Sequence, residues 1–124
     1  MIPTVLTKRA DFLAANRGLR AARPGFVVLA RPNGGEGVRY GITVTKKIGN
    51  AVVRNRMKRR FRELLWVALP EHGLPDHDHV LIGREGGVER DFARLGKELR
   101  HALADLAEGR GEPPRRPRRG NRSR

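Results

Sequence analysis

The chain has 124 residues and a formal net charge of +14, with 27 Lys and Arg residues against 13 Asp and Glu residues. It contains no cysteine, which excludes disulfides and thiolate chemistry, whether as a nucleophile or as a zinc ligand. No stretch approaches the ~20 apolar residues of a membrane span, so we expect a soluble, cytoplasmic protein with no membrane partner.

The first half of the chain predicts one helix and two strands. Residues 8–17 favour a short helix, and residues 26–31 form an apolar, β-branched run that is typical of a buried strand. Residues 38–45 alternate between apolar and polar types, which predicts a strand with one buried and one polar face. The buried face would consist of Val38, Tyr40, Ile42 and Val44, and the polar face of Arg39, Gly41, Thr43 and Thr45.

The longest predicted helix covers residues 51–69. Asn50 is placed to cap its N-terminus, and Pro70 is expected to end it. The apolar residues that share one arc of this helix are Val53, Met57, Phe61, Leu64, Leu65 and Ala68. Trp66 lies off that arc and is a candidate for a second contact surface.

The second half of the chain adds a buried strand at residues 79–83 and an amphipathic helix at residues 92–106, in which Phe92 faces the core. An order of helix, two strands, helix, strand and helix predicts a small α+β sandwich in a single domain, residues 1–108. Residues 109–124 contain seven Arg residues and one acid, with no aliphatic residue to bury. This composition predicts a disordered basic tail.

The most informative segment is the run R-N-R-M-K-R-R-F-R at residues 54–62, in which six of nine residues are cationic. No acid occurs anywhere between Gly37 and Arg62. Pairing of opposite charges along the helix therefore cannot explain the run, and a polyanion is the expected partner. Asn55, inside the run, can both donate and accept hydrogen bonds, as contact with a base edge or a 2′-hydroxyl requires.

Candidate catalytic residues are scarce. Ser123, the only serine, lies in the predicted tail, and the D-H-D-H sequence at residues 76–79 is more typical of a turn than of a metal site. We therefore predict no catalytic residue, no metal site and no small-molecule substrate. One alternative is a self-sufficient, metal-dependent nuclease, which would need Asp76, Asp78 or Glu63 as Mg²⁺ ligands.

The segment K-K-I-G-N-A-V-V-R-N-R-M-K-R-R-F-R-E at residues 46–63 strongly resembles the protein subunit of bacterial ribonuclease P. The resemblance continues in L-T-K-R-A-D-F near the start, F-V-V-L-A and G-I-T-V-T-K-K in the first two predicted strands, and H-V-L-I-G-R in the last. It covers residues 6–106, with the order of the motifs intact.

This resemblance implies a two-layer fold like that of ribosomal protein S5 domain 2, with helices packed on a mostly antiparallel sheet and an unusual left-handed βαβ crossover. It also implies a subunit of an endoribonuclease that removes the 5′ leader of precursor tRNA. The expected partners are the catalytic ribonuclease P RNA and precursor tRNA. In such an enzyme the RNA carries the catalytic centre and binds most of the Mg²⁺.

The resemblance assigns two sets of binding residues. The residues expected to contact the catalytic RNA are Lys46, Lys47, Asn50, Arg54, Asn55, Arg56, Lys58, Arg59 and Arg62. Those expected in a cleft that takes the 5′ leader are Lys8, Arg9, Phe12, Phe26 and Arg39. The chain has Asn16 and Leu29 where aromatic residues are common in the family, which predicts weaker leader binding or a greater reliance on cations.

A second reading of the same residues is a non-catalytic RNA-binding protein of the ribosomal or RNA-chaperone type. Such a protein has a similar basic α+β design and would bind structured RNA without accelerating tRNA maturation. Both readings predict binding that weakens with salt, because both depend on contacts with phosphates.

Overall fold

The computed structural model describes residues 3–113, in which three helices pack on a five-stranded sheet. The strands are β1 (Thr4–Val5), β2 (Leu19–Arg23), β3 (Phe26–Pro32), β4 (Arg39–Thr43) and β5 (His77–Gly83). The helices are α1 (Arg9–Ala15), α2 (Ala51–His72) and α3 (Phe92–Ala107). Short 3₁₀ turns occupy Lys46–Ile48 and Glu85–Gly87. No helix in this part of the chain is long and apolar enough to cross a bilayer.

The sheet has the order β1-β4-β5-β3-β2 and is mixed. Strands β2–β3 and β3–β5 pair antiparallel, whereas β1–β4 and β4–β5 pair parallel. Because β4 and β5 are parallel neighbours, α2 is the crossover of the βαβ unit that joins them. The predicted α+β class is confirmed.

Alternating residues of the strands build two separate cores. Phe26 and Val28 of β3 face α2 and α3, where the Phe26 ring meets Phe61 edge-on at a centroid distance of 6.5 Å. Val27 and Leu29 face the other way and pack with Val80, on the side of the sheet that α1 partly covers. The α2–α3 side holds the larger core, which leaves the α1 side only partly filled.

The segment between the first helix and the first predicted strand is itself a strand, β2. Its sequence L-R-A-A-R has little intrinsic preference for a strand, so neither alternation nor β-branching indicated it. The segment is a strand because it pairs antiparallel with β3, and this pairing buries Ala21. Pro24-Gly25 joins Arg23 to its partner Phe26 and so forms the hairpin turn between β2 and β3.

Helix α2 begins as predicted and ends later. The side-chain oxygen of Asn50 accepts a hydrogen bond from the Val53 amide at 3.0 Å, which confirms the predicted cap. Pro70 lies inside the helix, contrary to prediction, and the helix continues to His72. The proline falls in the last turn on an exposed side, while the neighbouring Leu69 is fully buried and anchors that turn in the core.

The chain continues as part of the domain beyond the predicted boundary at residue 108. Glu112 forms an isolated β-bridge with Arg20 of β2, with backbone hydrogen bonds of 3.0 and 2.7 Å. The Arg110 guanidinium lies 2.8 Å from a carboxylate oxygen of Asp105 on α3. Residues 109–113 are therefore held against the sheet and α3. They have no aliphatic side chain to bury, and backbone hydrogen bonds to the edge strand β2 hold them in place instead. The rest of the predicted tail lies outside the described residues.

Strand β5 carries a fully buried histidine. The Nε2 atom of His79 accepts a hydrogen bond from the Leu74 amide at 3.0 Å, so Nδ1 carries the proton and donates it to the Arg39 carbonyl at 3.0 Å. Burial lowers the pKa of His79 to about 4, because a charged imidazole would be desolvated there. The neutral ring thus joins β4, β5 and the loop before β5.

Candidate nucleic-acid interface

The predicted cations of α2 lie on its outward side, opposite the arc that is buried against the sheet. Arg56, Arg59 and Arg62 are exposed along with Asn55, and Lys58 is partly exposed. We call the following set the basic face: Lys46, Lys47, Asn50, Arg54, Asn55, Arg56, Lys58, Arg59 and Arg62. The structure brings all of these predicted RNA-binding residues onto one helix and the turn that leads into it.

The charges of the basic face are largely uncompensated. Among residues 3–113, no carboxylate lies within ion-pair distance of Lys46, Lys47, Lys58, Arg59 or Arg62. The nearest approach of an acid to the face is that of Glu89, whose carboxylate is 4.0 Å from Arg56, and both side chains are exposed. An exposed ion pair of this kind has a small interaction free energy and neutralises little of the charge. The basic face therefore presents a positive electrostatic field to solvent.

Two arginines of the cationic run have structural contacts that the sequence did not reveal. Arg54 donates a hydrogen bond to the Gly49 carbonyl at 2.7 Å and so fixes the turn before α2. Arg60 donates to the carbonyls of Val88 at 3.2 Å and Arg90 at 2.6 Å. Arg60 therefore holds the loop before α3 and is not part of the basic face.

Phe92 is not the core residue that was predicted. Its side chain is 39% exposed, and the Arg60 guanidinium lies over its ring, 5.7 Å from the centroid. Phe92 is the first residue of α3 and precedes Leu95, the first buried residue of that helix. Its ring therefore lies at the surface between α2 and α3.

A cleft of about 580 Å³ opens on the other side of the sheet, between α1 and the strands. Its lining residues are Thr7, Arg9, Phe12, Leu13, Asn16, Leu29, Thr43, Thr45, Val80 and Ile82. Phe12 lies directly on Gly41 of β4, where a Cβ atom would come within 2.4 Å of the ring. The missing side chain at Gly41 is what lets Phe12 reach the sheet.

Two of the five residues predicted for the leader cleft line it. Arg9 and Phe12 lie on consecutive turns of α1 and face the strands. Lys8 precedes the helix as its N-cap residue, is exposed, and is not among the lining residues. Arg9 and Phe12 thus supply the cleft with one cation and one aromatic ring.

The prediction that Phe26 lines this cleft is wrong. Phe26 is fully buried on the opposite face of the sheet, against Phe61 of α2. Its position at the start of β3 gives it the orientation of Val28, whereas Leu29 points into the cleft. The apolar run at residues 26–31 has no polar alternation, so the sequence did not reveal which residues face which side.

Arg39 is partly buried in an ion pair with Asp78 and is not among the residues that line the cleft. It forms two hydrogen bonds with Asp78, at 2.7 and 2.9 Å, and lies 3.8 Å from Asp11. Burial raises the pKa of Asp78, but the hydrogen bonds from Arg39 and Asn33 outweigh burial and leave that pKa below its ordinary value. The same Asp78 bond raises the pKa of Arg39. Arg39 therefore holds β4 to β5 as one half of an ion pair.

The two departures from the family pattern fall inside the cleft. Asn16 and Leu29 both line it, and Phe12 is the one aromatic residue among its described lining. Thr43, the last residue of β4, and Thr45, two residues beyond it, add hydroxyl groups. The cleft thus combines an apolar floor with a polar rim and offers a single ring for stacking.

The cleft and the basic face are continuous. Thr45 lines the cleft, and Lys46 and Lys47 follow it in a 3₁₀ turn before Asn50 opens α2. Both lysines are exposed. A nucleic acid that lay in the cleft would therefore meet cations as it left at the β4 end.

The acidic residues that a self-sufficient nuclease would need are not assembled into a site. Asp78 is paired with Arg39, and Asp76 accepts a hydrogen bond from the Gly37 amide at 3.0 Å within a loop. Glu63 lies on α2, in a different part of the fold. Within the described residues, no group of three His, Asp or Glu side chains could hold a metal ion. The geometry therefore does not support the nuclease alternative.

Comparison with known proteins agrees with this geometry. The family model described as Ribonuclease P matches residues 3–107. A curated "Ribonuclease P protein component" of Erythrobacter litoralis is 74% identical over 117 residues, covering 94% of this chain and 97% of that protein. The corresponding protein of Ruegeria pomeroyi is 47% identical, covering 83% and 86%.

Solved structures of RNase P proteins are also similar to this chain, at lower sequence identity. The RNase P protein of Staphylococcus aureus superposes with a TM-score of 0.69 at 33% identity, covering 82% of this chain and 95% of that one. The RNase P protein of Thermotoga maritima gives a TM-score of 0.66 at 33% identity, with 83% and 94% covered. The similarity therefore extends over nearly all of the described fold.

Proposed function

The chain belongs to the ribonuclease P protein family as a subunit of that RNA-containing endoribonuclease, and we propose which RNA each of its two surfaces binds. The basic face binds the catalytic RNA of the enzyme. The cleft binds the single-stranded 5′ leader of precursor tRNA. The protein thereby assists removal of the leader, while the reaction itself takes place on the RNA.

The observation that carries this proposal is the uncompensated charge of the basic face. Arg59 and Arg62 are exposed and have no acidic partner within residues 3–113. Guanidinium groups bind phosphates in a bidentate manner, and several of them along one helix match the repeated charges of an RNA backbone. Asn55 lies among them, where it can reach a base edge or a 2′-hydroxyl.

The cleft suits a single strand better than a duplex. It is an open trough of about 580 Å³ that one extended chain of nucleotides can enter, but a double helix cannot. Phe12 offers a face on which one base can stack, and Arg9 lies one turn earlier on α1, where it can contact a phosphate. Thr43 and Thr45 can hydrogen bond to a sugar or a base.

Mg²⁺ belongs mainly to the RNA in this proposal, since the described residues offer no cluster of carboxylates for it. The cations of the protein would replace part of the Mg²⁺ that screens RNA and leader phosphates, so the holoenzyme should work at lower Mg²⁺ than the RNA alone. We also propose that the chain acts in the cytoplasm, where its precursor substrate is made.

The direct test is cleavage of a precursor tRNA at low Mg²⁺ by a ribonuclease P RNA, with and without the full chain. The proposal predicts faster cleavage at the single site that releases the mature 5′ end. Binding of that RNA without faster cleavage would overturn the proposal and favour a non-catalytic RNA-binding protein.

A matched pair of variants ties the result to the basic face. Arg59→Ala removes a cation from the face, and Arg94→Ala removes one from an exposed position of α3. Stimulation should fall in the first variant and persist in the second, with circular dichroism unchanged in both. Equal loss in the two variants would mean that net charge, and not the basic face, is responsible.

A further inference from the structure

A second, smaller depression lies on the outer side of α2. It has a volume of about 460 Å³ and is formed by Arg59, Arg62, Glu63, Trp66, Val67 and Phe92, which we call the tryptophan groove. Trp66 is 52% exposed, Val67 70% and Phe92 39%. Large apolar side chains that gather at one exposed site usually mark an interaction surface.

The indole of Trp66 is held in place although its ring is exposed. Its Nε1 atom donates a hydrogen bond of 2.9 Å to the hydroxyl of Tyr40, which is a buried residue of β4. This bond anchors one edge of the ring and leaves much of the ring open to solvent. Because the ring is already ordered, a ligand that stacks on it loses little conformational entropy.

Two cations of the basic face lie beside the ring. Arg59, Arg62 and Trp66 have the spacing i, i+3, i+7, which places them along one stripe of the helix. Neither arginine has a carboxylate partner in the part of the chain that the structure describes. The groove therefore offers an aromatic ring with free guanidinium groups next to it.

From this combination we propose that the tryptophan groove binds an unpaired nucleotide of the ribonuclease P RNA. The base stacks on Trp66, and the flanking phosphates contact Arg59 and Arg62. Aromatic rings between cations are the usual means of binding single-stranded nucleic acid. Glu63 also lines the groove, and its carboxylate would repel phosphate there, so the phosphates are expected at the arginines. This inference rests on the proposed binding of that RNA by the basic face.

Trp66 is the only tryptophan of the chain, so tryptophan emission, excited apart from Tyr40, reports on this groove alone. Titration of the full chain with ribonuclease P RNA should quench the emission, because a stacked base contacts the indole directly. Unchanged emission at saturating RNA would overturn the proposal. A change that depends on protein concentration without RNA would also overturn it, since that result indicates a second copy of the chain in the groove.

Substitutions separate stacking from charge. Trp66→Leu should weaken binding of ribonuclease P RNA about tenfold, within the range measured for loss of one stacked base, while Trp66→Phe should retain most of the affinity. Val5→Ala, at an equally exposed apolar position on β1 and away from both surfaces, is the matched control and should bind as the wild type does. Equal affinities of the Trp66→Leu variant and the wild type would contradict stacking.

Salt dependence gives a second, independent readout. In Trp66→Leu, the slope of log affinity against log salt should stay at its wild-type value, since no phosphate contact is lost. In Arg59→Ala the slope should become shallower by about 0.7 to 0.9. If the wild type does not bind the RNA at all, both the proposed function and this inference fail. If the wild type binds the RNA and Trp66→Leu binds it with the same affinity, this inference fails and the proposed function stands.

Discussion

The basic face and the cleft are built from the same chain in different ways. The basic face lies on one helix and its entry turn, from Lys46 to Arg62. The cleft takes residues from α1 and three strands, from Thr7 to Ile82. One surface therefore depends on a local pattern, and the other on the pairing and register of a sheet.

This difference affects how each surface responds to change. Removal of one cation from the basic face removes one contact and leaves the helix in place, because its other side is anchored by Met57, Phe61 and Leu65. A change within the sheet, by contrast, moves several lining residues of the cleft together. We expect mutations in the sheet to affect the cleft more than the basic face.

The largest expected effect is on the ion pair that joins β4 to β5. Asp78→Ala leaves the partly buried Arg39 without its main partner, and we expect unfolding to become about 3 kcal/mol easier. Denaturant unfolding measures this change, with Glu36→Ala, in the exposed loop before β4, as the control. A loss as small as that of the control would show that the pair does not support the sheet.

A second test uses pH and His79. Its pKa is about 4 in the folded chain against an ordinary 6.5, so between these values the unfolded state binds more protons and stability falls as pH is lowered. The loss should begin below pH 6.5 and approach about 3 kcal/mol near pH 4. His79→Gln should reduce the pH dependence in this window, whereas His101→Gln, at an exposed histidine of α3, should preserve it. An unaltered profile in His79→Gln would contradict the assignment.

The cleft can be perturbed without removing any of its lining residues. Gly41→Ala places a Cβ atom within 2.4 Å of the Phe12 ring, which must then swing away from the sheet. Leader binding should weaken about tenfold, as loss of one stacked base predicts, while affinity for the catalytic RNA stays unchanged. Gly96→Ala in α3, where a Cβ atom has ordinary contacts, is the control. Full leader affinity in Gly41→Ala would argue against stacking on Phe12.

The smallest expected effect concerns the start of the basic face. Asn50→Ala removes the cap of α2 and should cost about 1 kcal/mol of stability. Asn50→Asp keeps an acceptor for the Val53 amide but adds a negative charge beside Lys46 and Lys47. It should therefore retain stability and lose affinity for RNA. If both variants lost stability equally, the side-chain cap would not be the cause.

The sequence was sufficient to predict the basic face because that surface is local. The spacing of apolar residues in 51–69 indicated the buried arc, and the cations could then lie only on the other side. What it did not indicate was the tertiary contacts of single residues, such as the bonds from Arg60 to the loop before α3. Those contacts join residues about thirty positions apart, as their sequence numbers show.

The cleft was predicted less well because it is formed by segments that are far apart in the sequence. Phe12 was placed correctly because the resemblance to the family fixed its position on α1, whereas Phe26 was assigned to the wrong face of the sheet. A strand that is buried on both faces carries no alternation, so its register cannot be read from its own sequence. Strand β2 was missed because only its pairing with β3 makes L-R-A-A-R a strand.

The measurement that tests the separation of the two surfaces most directly is a pair of affinities for each of two variants. Phe12→Ala and Arg59→Ala are compared with the wild type for binding to ribonuclease P RNA and, as holoenzymes, to precursor tRNA with and without its leader. We predict that Phe12→Ala loses the affinity due to the leader and keeps that for the catalytic RNA, whereas Arg59→Ala does the reverse. Parallel losses in both variants would contradict the assignment of one RNA to each surface.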